Sequence, residues 1–306
     1  MSDLKDSHSI SPHKRLLVFS AWVMMLLVSD LPDIIWSKVV GQIPGWLFWS
    51  KIGILVVSLG MCLVWKRIRP LWQFACVFLV FYAALGSTHS LKNMSWWQNL
   101  HSRSQISFTL GYLEIYIRDL GIAILVIAAL WIIKRRRNDF FLTKGQTSAP
   151  VESVRWLGIK QGESWRKLGW IIASIAGLGL LIPTMLIMRP SWETLSRAAP
   201  LLPSVLLFAG INAFTEETYY RLSILSTLCN SIGKSHTLLI NAVFFGLAHY
   251  LYGSPPGVLG FLLTGVLAWF LGKSILETRG LLWAWFIHFI PDVVIFASYA
   301  LDWVKR

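Results

Sequence analysis

Apolar runs of near-constant length recur along the chain and are separated by short polar or basic stretches. They cover roughly 16–36, 46–65, 71–90, 112–133, 168–188, 201–228, 237–252, 258–276 and 281–303. Most approach the roughly 20 residues that a helix needs to cross a hydrocarbon core. The pattern predicts an all-α fold, a polytopic transmembrane helix bundle of about eight to nine helices, one segment being re-entrant or interfacial if the count is eight. There is no internal repeat and no low-complexity segment.

Composition narrows the class further. The 306 residues are 55% hydrophobic and only 14% charged, with a mean hydropathy of +0.59, outside the balance of a soluble globular domain. A formal net charge of +13 raises nucleic acid as a partner, but Lys and Arg cluster in short flanks beside apolar runs. That placement suits loops facing the cytoplasm and anionic lipid, so the bilayer is the expected partner and nucleic acid is not. Alternating the runs places the N-terminus on the cytoplasmic side. Tryptophans such as Trp36, Trp46, Trp65, Trp131, Trp170 and Trp283 fall near run ends and read as interfacial anchors. Cys62, Cys76 and Cys229 are scattered without metal-ligand spacing, which indicates neither a disulfide framework nor a zinc knuckle. Lys14 and Arg15 precede the first run, but Asp30, Pro32 and Asp33 follow where a cleavage site would need small residues, so a retained first span is expected.

The stretch 134–167 is the one long polar connection and divides the chain in two. Residues 1–133 are N-terminal transmembrane helices without a usable motif, 134–167 a basic cytoplasmic loop, and 168–306 the membrane domain that carries the chemistry. Within the loop, Val154 to Lys167 mixes Trp156, Leu157, Ile159 and Trp165 with basic residues, which suits either a helix lying on the inner leaflet or a solvated positive-inside loop. In the N-terminal part Glu114 and Arg118 are four apart and are expected to pair.

Asn212-Ala-Phe-Thr-Glu216-Glu217-Thr-Tyr-Tyr220-Arg221 lies inside an otherwise apolar run. Each ionised group at that depth costs about 2.5–3.5 kcal/mol on insertion scales. Glu217 and Arg221, four apart with the acid first, suit a helical ion pair. Glu216 points about 100° away, on the face of Asn212 and Tyr220, and is the acid left free. His249 lies about as far beyond the 230–235 connection as Glu216 lies before it, about 20 Å at 1.5 Å per residue. His288, about nine residues after the next turn, reaches similar depth, with Asp292 one helical turn further and Pro291 between them. Such a cluster can activate water, with Glu216 as general base and His249 as its partner, and with His288 and Asp292 positioning the water or stabilising an oxyanion. Two histidines and a carboxylate are also the ligand set of a catalytic zinc, so a zinc held by His249 and His288 is the alternative to no cofactor. A charged cluster that only joins helices is the bland reading.

These residues resemble the pattern of the CPBP family of intramembrane proteases, which includes the CAAX prenyl-protein endopeptidases and bacterial Abi proteins. That pattern is Glu-Glu-x-x-x-Arg, then Phe-x-x-x-His, then His-x-x-x-Asn or Asp on successive membrane helices. Here it reads Glu216, Glu217 and Arg221, then Phe245 and His249, then His288 and Asp292. The resemblance implies a largely metal-independent endopeptidase acting on a membrane-associated peptide or protein, with Glu216 and His249 activating water and His288 and Asp292 near the oxyanion. Two other functional classes fit the same residues: a proton-coupled or ion transporter using the buried acids and histidines, and a non-catalytic scaffold or immunity protein.

Overall fold

The computed structural model describes residues 12–306 apart from Lys92, Gln105, Arg135 and Ser254, and apart from the side chains of His89, Ser104 and Trp156. Residues 1–11 of the N-terminal segment, and Lys92 and Arg135 among its basic flanks, therefore lie outside the described residues. The observed architecture is all-helical: α1 Pro12–Val28, α2 Leu31–Val39, α3 Gly45–Val64, α4 Trp72–Leu91, α5 Ser95–Ser104, α6 Phe108–Lys134, α7 Trp165–Met188, α8 Trp192–Ala198, α9 Leu202–Glu216, α10 Ser223–Ile232, α11 Lys234–Tyr252, α12 Gly257–Thr278 and α13 Leu282–Trp303. A π-helical turn, Glu217–Leu222, joins α9 to α10. Local signals set several boundaries. Ser164 and Ser191 cap α7 and α8 through their hydroxyls, and Gly233 at φ +88° separates α10 from α11.

Seven helical runs are long and apolar enough to cross a membrane, namely 45–64, 69–88, 108–134, 165–188, 192–232, 257–278 and 282–303, and α1 with α2, bent by 51°, makes an eighth if the pair is one span. The chain is thus a multi-pass integral membrane protein. The expected span at 237–252 is not among these. His236, Asn241 and His249 dilute the hydropathy of α11, which instead lies closely on α12. A Cβ on Gly246 would come within 2.7 Å of the Phe261 carbonyl oxygen, so only glycine allows this approach, the small-residue packing of membrane helices. Gly169 does the same for α7 against α13, where a Cβ would meet the Trp283 ring at 2.3 Å. Around this centre α13 packs on α7 and α9, α6 on α4 and α9, and α1 on α3, α10 and α11.

Two sequence expectations are corrected. Val154–Lys167 does not form an interfacial helix: isolated bridges Pro150–Ser164 and Val154–Ile159 enclose a single 3₁₀ turn, Arg155–Leu157, and α7 begins at Trp165. Positive φ at Gly158 and Gly162 favours this hairpin-like course over a helix. Glu114 does not pair with Arg118. Glu114 instead bonds Nδ1 of His101 on α5 at 2.9 Å, while Arg118 takes the adjacent Asp119 at 2.7 Å, because each acid meets a closer cation than the i,i+4 partner.

The loop before α7 is fastened to the α12–α13 turn. Gln146 N–H donates to the Thr278 carbonyl at 2.7 Å and Leu281 N–H to that of Thr143 at 2.8 Å. Gly145, at φ +72°, lies where a Cβ would meet the Thr278 oxygen at 2.6 Å. Beneath it the buried Glu277 accepts from the Trp165 indole at 2.8 Å, from Lys234 at 3.0 Å and from Lys273. Lys234 also reaches the exposed Glu152 at 2.6 Å, and that hydrogen bond holds the Glu152 carboxyl below its ordinary range. Glu277→Gln is expected to cost about 3–5 kcal/mol in detergent unfolding, since it leaves buried lysine charge uncompensated. Glu152→Gln should cost only about 0–1 kcal/mol. The latter contribution is present above the usual glutamate range and fades as pH falls through the depressed value.

Candidate functional site

The Asn212–Arg221 segment carries its acids through the π turn, a local widening that recurs at functional sites because it re-aims side chains. Hydroxyls support it from within: Thr218 donates to the Phe214 carbonyl at 2.9 Å, and Ser223 donates to that of Tyr219. The result differs from simple helical spacing, in which Glu216 and Glu217 diverge. Both carboxylates here reach the same imidazole, that of His288 on α13.

Glu217 has no exposed surface and Arg221 none. Glu217 Oε1 accepts from His288 Nδ1 at 2.8 Å and lies 3.4 Å from Arg221 Nε. The expected Glu217–Arg221 pair is therefore present, and it is also an anchor for His288. The Arg221 guanidinium lies 3.8 Å from the centre of the Phe245 ring, where the ring face meets its charge. No direct hydrogen bond to another described residue satisfies its three nitrogens. Phe245 thus has a structural reason to be aromatic: one face receives Arg221, and its ring lies 4.2 Å from that of His249 and 6.0 Å, edge-on, from that of His288.

On the other side of His288, Nε2 lies 3.5 Å from Glu216 Oε2 and 3.7 Å from Asp292 Oδ2. Glu216 is the more open of the two glutamates, its side chain about 25% exposed, and its Oε2 has no hydrogen-bond partner among the described residues. His249 is half-buried, one turn before α11 ends. Its Nδ1–H donates to the Phe245 carbonyl at 3.0 Å, which leaves Nε2 as its outward nitrogen. No direct ion pair joins His249 to Glu216 among the described residues.

Asn212 does not lie against Glu216 as its place on the helix face suggests. Its amide donates to Asp292 Oδ2 at 3.0 Å, and its carbonyl accepts from the Tyr116 hydroxyl at 2.9 Å. Tyr220 packs on the rings of Phe244 and Phe245. Tyr116, on α6, is the residue that sequence reasoning missed: a tyrosine within an apolar run carries no motif, and only the packing of α6 on α9 brings it to Asn212. Among the described residues no group of three or more His, Cys, Asp or Glu side chains is arranged to hold a metal ion.

Residues 198–294 match the family model described as type II CAAX prenyl endopeptidase Rce1-like. This segment is therefore similar to CAAX-type intramembrane proteases, and all three motifs fall within it. No curated protein matches, and no solved structure matches.

Because Tyr116, Asn212 and Asp292 form one hydrogen-bonded chain, substitutions in it are expected to couple. Tyr116→Phe and Asn212→Ala should each destabilise by about 1–3 kcal/mol. In a double-mutant cycle followed by detergent unfolding, their effects should depart from additivity by about 0.5–3 kcal/mol; strict additivity would mean that the two bonds act independently.

Proposed function

We propose that the chain is an intramembrane endopeptidase in which Glu216 and His249 activate a water molecule against a peptide bond of a membrane-associated peptide or protein. The observation that carries this reading is the Glu216 carboxylate: its side chain is about 25% exposed, and its Oε2 accepts no hydrogen bond among the described residues and lies 3.5 Å from His288 Nε2. A general base must be open to water, and Glu216, whose side chain is about 25% exposed, is so where the wholly buried Glu217 is not.

Each neighbour then has a task. Glu217 fixes the His288 ring through Nδ1 and so aims Nε2 at the reacting centre, as an orienting carboxylate does for a catalytic imidazole. Arg221 offsets the charge of the two adjacent glutamates. Asp292 serves as an acceptor that orients Asn212 and His288, and stabilisation of the oxyanion falls to His288 Nε2 and to the second amide hydrogen of Asn212. This mechanism uses no metal, and the Lys and Arg bias of the loops supports an N-terminus on the cytoplasmic side.

Glu216→Gln and His249→Ala are each expected to lower cleavage by about 100- to 10,000-fold, the usual contribution of general acid–base catalysis, at unchanged protein level. The assay is trapping of a bound polypeptide by Glu216→Gln in native membranes, identification by mass spectrometry, and cleavage of that polypeptide by the unaltered protein. Cleavage should persist in EDTA and phenanthroline. Full activity of either variant overturns the assignment, and proton-driven uptake into liposomes that requires Glu216, without any cleavage, would identify a transporter instead.

A further inference from the structure

A cavity of about 840 Å³ lies away from the reactive cluster, between α5, the start of α6 and the end of α13. Its lining includes Gln98, Glu114, Arg118, Tyr299, Asp302 and Arg306. Every residue that lines it falls outside the 198–294 segment that matches the protease family. The cavity is therefore built by parts of this chain that the shared catalytic segment does not supply.

We propose that this crevice seats the extramembrane polypeptide of the substrate and selects which protein is cut; the proposal rests on the protease reading above. Its volume lies within the roughly 300–1,000 Å³ of ligand-binding clefts. Its walls carry charges of both signs, Arg118 and Arg306 beside Glu114 and Asp302. Tyr112 and Tyr299 stack at 6.2 Å and 10° within it. A peptide matches such a wall, since its N–H groups suit the carboxylates, its carbonyls the guanidinium groups and its side chains the aromatic faces. An anionic lipid headgroup would meet Glu114 and Asp302 as like charges, and an acyl chain would bury the Gln98 amide.

The crevice lies within reach of the chemistry. Tyr299 follows Asp292 by seven residues on α13, about 10 Å along the axis, a distance that about three residues of extended chain cover. On the facing helix, Tyr112 stacks on Tyr116 at 6.5 Å, and Tyr116 bonds Asn212, so the crevice and the Asn212–Asp292 side of the reactive cluster share one column of tyrosines.

The test places a photoreactive benzophenone amino acid at Gln98 or Tyr299 in the Glu216→Gln chain, with Tyr220 beside the reactive cluster and lipid-facing Leu263 on α12 as reference positions. Gln98, Tyr299 and Leu263 are exposed, so the substitutions there leave the core intact. After illumination of native membranes, Gln98 and Tyr299 should yield polypeptide adducts, the same species as at Tyr220, at least tenfold above Leu263. Adducts confined to lipid at Gln98 and Tyr299, or equal yields at Leu263, overturn the crevice assignment while polypeptide captured at Tyr220 leaves the protease reading standing. Absence of polypeptide at all positions overturns both.

Discussion

Glu217 is wholly enclosed, and in such surroundings an ionised carboxylate without partners costs several kcal/mol. It is tolerable because three elements converge on it: Arg221 from its own helix, His288 from α13, and Phe245 of α11 behind the guanidinium. The arrangement works in both directions. The carboxylate needs the three groups, and the three helices are drawn to one another by needing it. The openness of Glu216 one residue earlier follows from this, because the cation and the histidine Nδ1 are already taken.

The N-terminal helices extend the same logic outward. Tyr219, within the π turn, donates to the backbone carbonyl of Asp119 on α6, and Tyr82 on α4 donates to that of Val28 at the end of α1. At the elbow between α1 and α2, Lys51 from α3 is buried with Asp33 at 2.5 Å and Asp30 at 3.1 Å. The first contact ties α6 to the helices that carry the site, and the other two tie α4 and α3 to the α1–α2 unit, whose α1 packs on α10 and α11. Removing one partner of such a buried contact leaves the other unsatisfied, so these contacts support the packing of the N-terminal helices around the site.

How much of this was legible in the sequence depends on the range of the interaction. The helices were, because apolar runs of span length report the bilayer directly, and so was the Glu217–Arg221 pair, because both members lie on one helix. The amphipathic composition of 154–167 also suits an interfacial helix, but Gly158 and Gly162 in left-handed conformations turn that part of the loop back as a hairpin. The Glu114–Arg118 expectation failed because helix spacing ignores α5, which brings His101 to Glu114. Tyr116 and the crevice were out of reach, since both depend on how α6 lies against α9 and α13, a matter of packing between distant segments that no local spacing encodes.

The pairing of Asn212 with Asp292 shows why motif residues are better read as sets. A carboxylate at 292 offers only acceptors when ionised, so taken alone it argues against a role beside a developing negative charge. Asn212 supplies the missing donors from the opposite helix, giving one amide hydrogen to Asp292 at 3.0 Å and retaining the other. Tyr116 completes the set by donating to the Asn212 carbonyl, which fixes the orientation of an amide that could otherwise flip. The capacity to donate at this wall therefore resides in Asn212, and the carboxylate at 292 is what holds that amide in place.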